Sequence, residues 1–312
     1  MNRLLILAAD TAKYEALIKA ANLRNLEIQV ADNVASASAL IVESNIVLGE
    51  PSLVSEVLPH AGCLQWVQSS WAGVDRLCVP GLRRDYVLTG VKDIFGPLIS
   101  EYVMTYLFAH ERQIFNMRAN QLNQQWLPLS YRPAKEITLG IVGLGSIGQH
   151  LARTARVFGL RVTGLNRSGR PCDDVEKVYT VDDIAGFLKE PDYLVLTLPD
   201  TPGTRYFIGA DELEMMKSSA VLMNVGRGSI LNEKDLAEAV RDGVIGGAVL
   251  DVFAIEPLPV DSPLWQLPGV YVTPHNAAIS FTEDIVGVFV DNYQRFLQQG
   301  NLEYVVNFDL GY

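Results

Sequence analysis

Basic residues are scarce in this chain. Its 312 residues carry 25 Lys and Arg against 36 Asp and Glu, a net charge of −11. Binding along a phosphate backbone needs the opposite balance, so nucleic acid is excluded as a partner. No uninterrupted apolar run approaches the roughly 18 residues of a membrane-spanning helix, and no membrane partner is expected. The N-terminal run Leu4-Leu-Ile-Leu-Ala-Ala9 is too short for the core of a secretory signal and reads as a first buried strand. Cysteine is rare as well: Cys63, Cys78 and Cys172 show neither CxxC nor metal-ligand spacing. They read as free thiols of a reducing, cytoplasmic protein with no bound metal. Repeats and low-complexity tails are missing. What remains, 49% hydrophobic and 20% charged residues, describes a well-packed chain long enough for two domains.

Glycine is placed with purpose. Ile137-Thr-Leu-Gly-Ile-Val142 reads as a buried parallel strand, and Gly143-Leu-Gly-Ser-Ile-Gly148 follows it directly. The segment Gln149–Phe158 then has helical spacing of its apolar residues, and Leu160–Leu165 reads as a second strand. This is a β-α-β unit with glycines at its first turn, the arrangement that seats a dinucleotide pyrophosphate against a helix N-terminus. Gly143 permits the tight turn, Gly145 lets the phosphates approach the backbone, and Gly148 lets helix and strand pack closely. Ser146 and Ile147 open the helix. Another absence selects the cofactor. Where NAD-binding units carry an acidic residue for the ribose hydroxyls, about 20 residues on, this chain has Asn166-Arg-Ser-Gly-Arg170. Arg167 can pair with a 2′-phosphate, and Asn166 and Ser168 can donate to it, so NADP(H) is expected over NAD(H).

Residues 1–98 alternate short strands (Leu4–Leu7, Glu27–Val30, Ile46–Leu48, Leu64–Gln68, Tyr86–Gly90) with helices such as Thr11–Leu23, a parallel α/β unit of flavodoxin-like character. Pro97–Arg112 reads as a long amphipathic linking helix and Gln121–Lys135 as an irregular connection. Further strands are expected at Tyr193–Leu198, Ala220–Val225, Gly247–Asp251 and Val270–Thr273, with helices at Glu233–Asp242 and Thr282–Gln299.

Four polar residues stand where the later strands end: Arg227 in Asn224-Val-Gly-Arg-Gly228, Asp251, Glu256 in Ala254-Ile-Glu-Pro-Leu-Pro259, and His275 in Thr273-Pro-His-Asn276. Alone, each has a plain structural reading as a surface turn, a cap or a solvated side chain. Together, behind a dinucleotide motif, they can converge on one crevice beyond the carboxyl ends of an open sheet.

At these residues the sequence resembles the D-isomer-specific 2-hydroxyacid dehydrogenases, over nearly its whole length. The resemblance is carried by Gly143–Gly148, Asn224–Gly228, Leu250-Asp-Val-Phe-Ala-Ile-Glu-Pro257 and Thr273-Pro-His-Asn-Ala-Ala278. Ser262-Pro-Leu-Trp265, Trp126-Leu-Pro-Leu129, the length and the terminal Gly311-Tyr312 are most similar to the glyoxylate/hydroxypyruvate reductase A branch. The resemblance implies a Rossmann dinucleotide-binding domain, residues 99–278, inserted in a flavodoxin-like substrate domain, residues 1–98 plus 279–312. It implies reduction of a small 2-keto acid to the 2-hydroxy acid. Arg227 would hold the substrate carboxylate or carbonyl oxygen, His275 would donate the proton, and Glu256 would orient and charge the imidazole. Asp251 would accept from the nicotinamide carboxamide, and Leu198, Pro199, Val225 and Gly226 would line the cofactor. The loop Ser70–Asp75, with Trp71, Ala72 and Gly73, would bind the substrate carboxylate, and the helix Leu98–Arg112 with the connection after it would form a C₂ homodimer.

The chain departs from the family pattern at Asn166, where many relatives are acidic, and at Ala278, where many have glycine. The family also holds corepressors that sense dinucleotides without catalysis, and NAD-dependent oxidants of formate or phosphite. Both stay open as alternatives.

Overall fold

The apolar runs of the first 98 residues become strands at the expected places. The structure is a computed structural model in which residues 1–311 are described; Tyr312, of the Gly311-Tyr312 pair, lies outside the described residues. The chain divides into two units, Met1–Ile94 together with the segment from Ser280, and Phe95–Ile279.

In the first unit five parallel strands, β1 (Asn2–Leu7), β2 (Leu26–Ala31), β3 (Ile46–Gly49), β4 (Trp66–Ser69) and β5 (Val87–Thr89), lie in the order β2-β1-β3-β4-β5. That is the flavodoxin-like order, the fold class read from the sequence. Leu4–Leu7, Ile46–Leu48 and Trp66–Val67 are almost fully buried. They form the near-continuous apolar runs that a parallel sheet covered on both faces requires. The first helix runs Thr11–Ala20, three residues short of the expected Leu23, because Asn22 takes a left-handed φ of 49° that a helix cannot continue through. The C-terminal helix Thr282–Leu297 belongs to this unit. Its Phe289 ring stacks on Trp66 at 5.2 Å, and Tyr293 Oη donates to Arg24 O at 2.9 Å. The tail beyond it pairs antiparallel with β5, Val306 N donating to Leu88 O at 2.8 Å.

The second unit holds seven parallel strands: β6 (Thr138–Val142), β7 (Arg161–Leu165), β8 (Lys177–Tyr179), β9 (Tyr193–Leu196), β10 (Val221–Asn224), β11 (Gly247–Leu250) and β12 (Val270–Val272). Their order, β12-β11-β10-β9-β6-β7-β8, is the Rossmann order with one further strand. The chain reverses direction between β6 and β9, the switch point where ligands bind open sheets. The helix after the glycine turn starts at Ser146, and the long helix spans Phe95–Glu111.

Several elements escaped the sequence, among them the short helices Ile184–Leu188 and Ala210–Glu214. Helix Ile114–Leu122 buries none of its residues, so it has no apolar stripe to betray it. Strand β8 is three residues long and at the sheet edge. The connection after that helix is irregular to Pro133, and Arg132 ties it down. Arg132 pairs with buried Glu111 and, at 2.9 Å, with buried Asp192, which also takes Lys217 Nζ at 3.1 Å and Thr138 N at 2.8 Å. Ile114, Phe115, Met117, Leu122, Trp126, Leu127 and Tyr131 stay exposed. Among the described residues no helix is long and apolar enough to cross a membrane, and no cluster of three His, Cys, Asp or Glu side chains could hold a metal ion. The three cysteines are free.

Candidate active site

Every candidate residue of the second unit lies at the carboxyl ends of its strands. At the end of β6, Gly143 has φ +101°, a conformation that side chains resist. A Cβ on Gly148 would stand 2.0 Å from Gly143 O, so only glycine lets the helix Ser146–Val157 pack this close. A Cβ on Gly145 would meet nothing within 4 Å. No fold constraint demands a glycine there, and a ligand lying against the backbone would supply one. Gly145 also caps the helix without any side-chain hydrogen bond, which leaves first-turn N–H groups for an anion. Leu198 and Pro199, past β9, and Val225 and Gly226, past β10, flank this turn; a Cβ on Gly226 would come within 2.8 Å of Leu198 O.

A hydrogen-bonded turn follows β7. Asn166 Oδ1 accepts from Ser168 N at 3.1 Å and Gly169 N at 2.6 Å, and its Nδ2 donates to Arg170 O at 3.1 Å. Asn166 therefore builds the turn with its oxygen and one amide hydrogen, which leaves its second amide hydrogen as a donor, and Ser168 Oγ leans on the same oxygen. Arg167 and Arg170 are exposed, with no carboxylate in ion-pair reach among the described residues. Their neighbours are committed: Arg156 and Arg161 to Glu176, Arg153 to Asp174. The free cations at this edge are thus the ones a 2′-phosphate needs.

At the other end of the site, Arg227, Glu256 and His275 come together. Asn224, fully buried, accepts from Gly226 N at 3.2 Å and donates to Arg227 O at 2.9 Å, shaping the turn that carries the half-buried Arg227. Arg227 Nη1 donates to Gly226 O at 2.8 Å. A Cβ on Gly228 would lie 1.8 Å from the Phe253 carbonyl carbon, so this turn sits directly on the Phe253–Glu256 loop. Glu256 Oε1 accepts from Phe253 N at 2.9 Å, and Oε2 accepts from His275 Nδ1 at 2.8 Å. That leaves Nε2 as the working nitrogen of the ring. The Glu256 hydrogen bond holds the His275 pKa above its ordinary value. Burial opposes it, the Glu256 charge adds to it, and the Arg227 charge subtracts. For Glu256, burial is opposed by the His275 and Phe253 hydrogen bonds, which win and keep the carboxyl below its usual range. His275 itself has φ +53°, a left-handed backbone costing about 1–3 kcal/mol that the surroundings must hold.

Asp251 follows β11 directly, beside the histidine loop. It is only 2% exposed, and its carboxylate is used within the protein. Oδ1 accepts from Thr273 Oγ1 at 2.6 Å and Asn276 N at 2.9 Å, and Oδ2 accepts from Ala277 N at 3.0 Å. It pins the histidine loop, as a turn cap does. Sequence reasoning also missed Glu233, whose Oε1 accepts from Ala254 N at 2.6 Å and anchors the Glu256 loop; burial first, then the Glu256 charge, raises its pKa. Its only signal was a place in the first turn of a helix.

In the first unit the loop after β4 is pinned by Ser69, whose Oγ donates to Trp71 O at 2.7 Å. Trp71 is 44% exposed, so it is no core tryptophan; Trp66 fills that part. Ala72 is exposed and Gly73 half-buried.

An imidazole whose charged form a carboxylate favours, beside a guanidinium and with a glycine turn on the same sheet edge, offers what carbonyl reduction demands: a proton, an anion clamp and a nucleotide seat. The class is that of Rossmann-fold, dinucleotide-dependent oxidoreductases. Comparison with known proteins narrows it. The model of the D-isomer specific 2-hydroxyacid dehydrogenase NAD binding domain matches residues 104–277. A D-isomer specific 2-hydroxyacid dehydrogenase family protein from Aeromonas salmonicida superposes with a TM-score of 0.93 at 45% identity, covering 99% of both chains. An NADPH-dependent glyoxylate/hydroxypyruvate reductase from Sinorhizobium meliloti, solved with NADP and sulfate, superposes at 0.90 with 31% identity over 100% of both chains. Glyoxylate/hydroxypyruvate reductase A of Serratia proteamaculans is 31% identical over 239 residues, 73% of this chain and 75% of that protein. The chain belongs to the D-isomer specific 2-hydroxyacid dehydrogenases and is an NAD(P)-dependent enzyme of that family.

Proposed function

We propose that this enzyme reduces a small 2-keto acid of the glyoxylate/hydroxypyruvate type with NADPH. The observation that carries the reaction is the 2.8 Å His275–Glu256 hydrogen bond beside Arg227. The names of the Serratia and Sinorhizobium relatives support the substrate class. Unpaired Arg167 and the lack of a carboxylate at Asn166 support NADP(H) over NAD(H), as does the NADP of the Sinorhizobium structure.

The glycine turn would hold the pyrophosphate of a dinucleotide, whose nicotinamide would supply the hydride for C2. Arg227 holds the substrate carboxylate or carbonyl oxygen with its planar fork and polarises the ketone. His275 Nε2 donates the proton to the forming alkoxide, and removes it in the reverse direction. Glu256 fixes the ring by Nδ1 and favours its charged form. Backbone N–H groups of the loop Ser70–Asp75, which holds Ala72 and Gly73, receive the substrate carboxylate, and Trp71 lines the pocket. The exposed apolar residues between Ile114 and Tyr131 support a C₂ homodimer, and the free thiols suit a cytoplasmic protein.

Initial rates with glyoxylate, hydroxypyruvate and formate, each with NADPH and NADH, test this reading. His275→Ala should lower kcat by about 10²–10⁴ while the cofactor still binds. Formate oxidation, no turnover of any acid, or an active His275→Ala would each overturn it.

A further inference from the structure

The structure assigns Tyr102 and Thr273 as positioning residues of the proton-donating histidine. Thr273 Oγ1 donates its single proton to Asp251 Oδ1 at 2.6 Å. Its oxygen can therefore only accept from Tyr102, whose Oη lies 2.6 Å away across 171 residues of sequence. The direction is set: Tyr102 O–H to Thr273, Thr273 O–H to Asp251. Each donor in such a chain polarises the next.

The far end of this relay is the histidine loop. The Asp251 carboxylate receives Thr273, Asn276 N and Ala277 N, while its main-chain oxygen receives His275 N at 2.9 Å. Residues on both sides of His275 are thus tied to one buried carboxylate, and His275 itself to the same residue's backbone. This is the support its left-handed φ of 53° requires. The near end is stiff. Tyr102 sits on the helix Phe95–Glu111, whose Val103 and Leu107 are fully buried, and its ring packs on Tyr106 at 4.8 Å. Burial, ahead of the weaker Asp251 charge, raises the Tyr102 pKa, so the phenol stays a donor at every working pH. The long helix thereby sets where the imidazole stands relative to Glu256 and Arg227, without touching substrate.

The inference rests on His275 as the proton donor, and the test separates the two. Tyr102→Phe, Thr273→Val, Thr273→Ser, Tyr102→Phe/Thr273→Val and His275→Ala are compared for kcat and KM with glyoxylate at saturating NADPH, and for NADPH affinity by nucleotide fluorescence. Tyr102→Phe should lower kcat about tenfold, the worth of one well-placed hydrogen bond. Thr273→Val should lower it further, KM and NADPH affinity should move less than about twofold, and Thr273→Ser should restore most of kcat. The double variant should be no slower than Thr273→Val alone, because the Tyr102 proton then has no acceptor. Additive losses, losses confined to KM or NADPH affinity, or a Tyr102→Phe variant of wild-type kcat would overturn the relay. If His275→Ala is inactive while the relay variants are normal, only this inference fails; if His275→Ala is active, the proposed chemistry fails.

Discussion

Exchanging two residues at the end of β7 should reverse the cofactor preference. In the double variant Asn166→Asp/Arg167→Ala, the aspartate keeps the oxygen that accepts Ser168 N and Gly169 N. Only the Nδ2 donation to Arg170 O is lost, so the turn survives. A charge-assisted hydrogen bond contributes about 1.5–3 kcal/mol, and the exposure of Arg167 selects the low end, roughly tenfold in kcat/KM. A unit charge and a dianion about 5 Å apart in water repel by roughly 1.7 kcal/mol before salt screening, close to another tenfold. The ratio of kcat/KM for NADPH to that for NADH should therefore fall by about 30–100-fold. The assay is initial rates with both cofactors at fixed saturating glyoxylate or hydroxypyruvate, in wild type and variant. A wild type that prefers NADH, or an unchanged ratio in the double variant, would show that Arg167 serves only solvent.

Glu256→Gln removes the largest influence raising the His275 pKa. Reduction uses the protonated ring, so kcat falls as pH rises through that raised pKa, and the variant's fall should come at lower pH; a pH profile with an unmoved alkaline limb would refute the role. By the same sign, the stability that charged His275 gains from Glu256 is full below its unfolded pKa and is lost as pH rises through the folded one. Arg227→Lys should lower kcat/KM for keto acid by about 10²–10³, since a point charge cannot reproduce a planar fork at the developing oxyanion; an unchanged value would make Arg227 structural. Sedimentation at micromolar concentration should report twice the 34.4 kDa chain, and a monomer would remove the homodimer.

What was legible in the sequence was what short-range sterics dictate. Gly143 and Gly148 announce a β-α-β turn because no other residue tolerates φ +101° or a backbone 2.0 Å from its Cβ. Arg227, Glu256 and His275 were legible because each stands in the turn or loop that follows an apolar strand, and parallel strands end along one edge. Asn166 shows where such reading stops. Its composition suggested a donor, and its four side-chain hydrogen bonds fall within the next four residues, the habit of asparagine in turns. The pattern could say that no carboxylate was present, but not that the same side chain also builds the turn.

Asp251 and Tyr102 were illegible for a different reason. A buried polar side chain is defined by its partners, and Tyr102 reaches its partner across 171 residues. In the sequence it is one aromatic residue in an amphipathic helix. Net charge behaves the same way. A chain at −11 repels an anionic cofactor and an anionic acid from a distance, so recognition must come from cations that the fold leaves unpaired at one place. Arg153, Arg156 and Arg161 are each matched to a carboxylate along the β6–β7 connection, whereas Arg167 and Arg170 at its end are not. Which arginines act on a ligand is decided by that pairing, and pairing is a property of the folded edge: along the β6–β7 connection the carboxylates take Arg153, Arg156 and Arg161 and leave the two arginines at the end of β7.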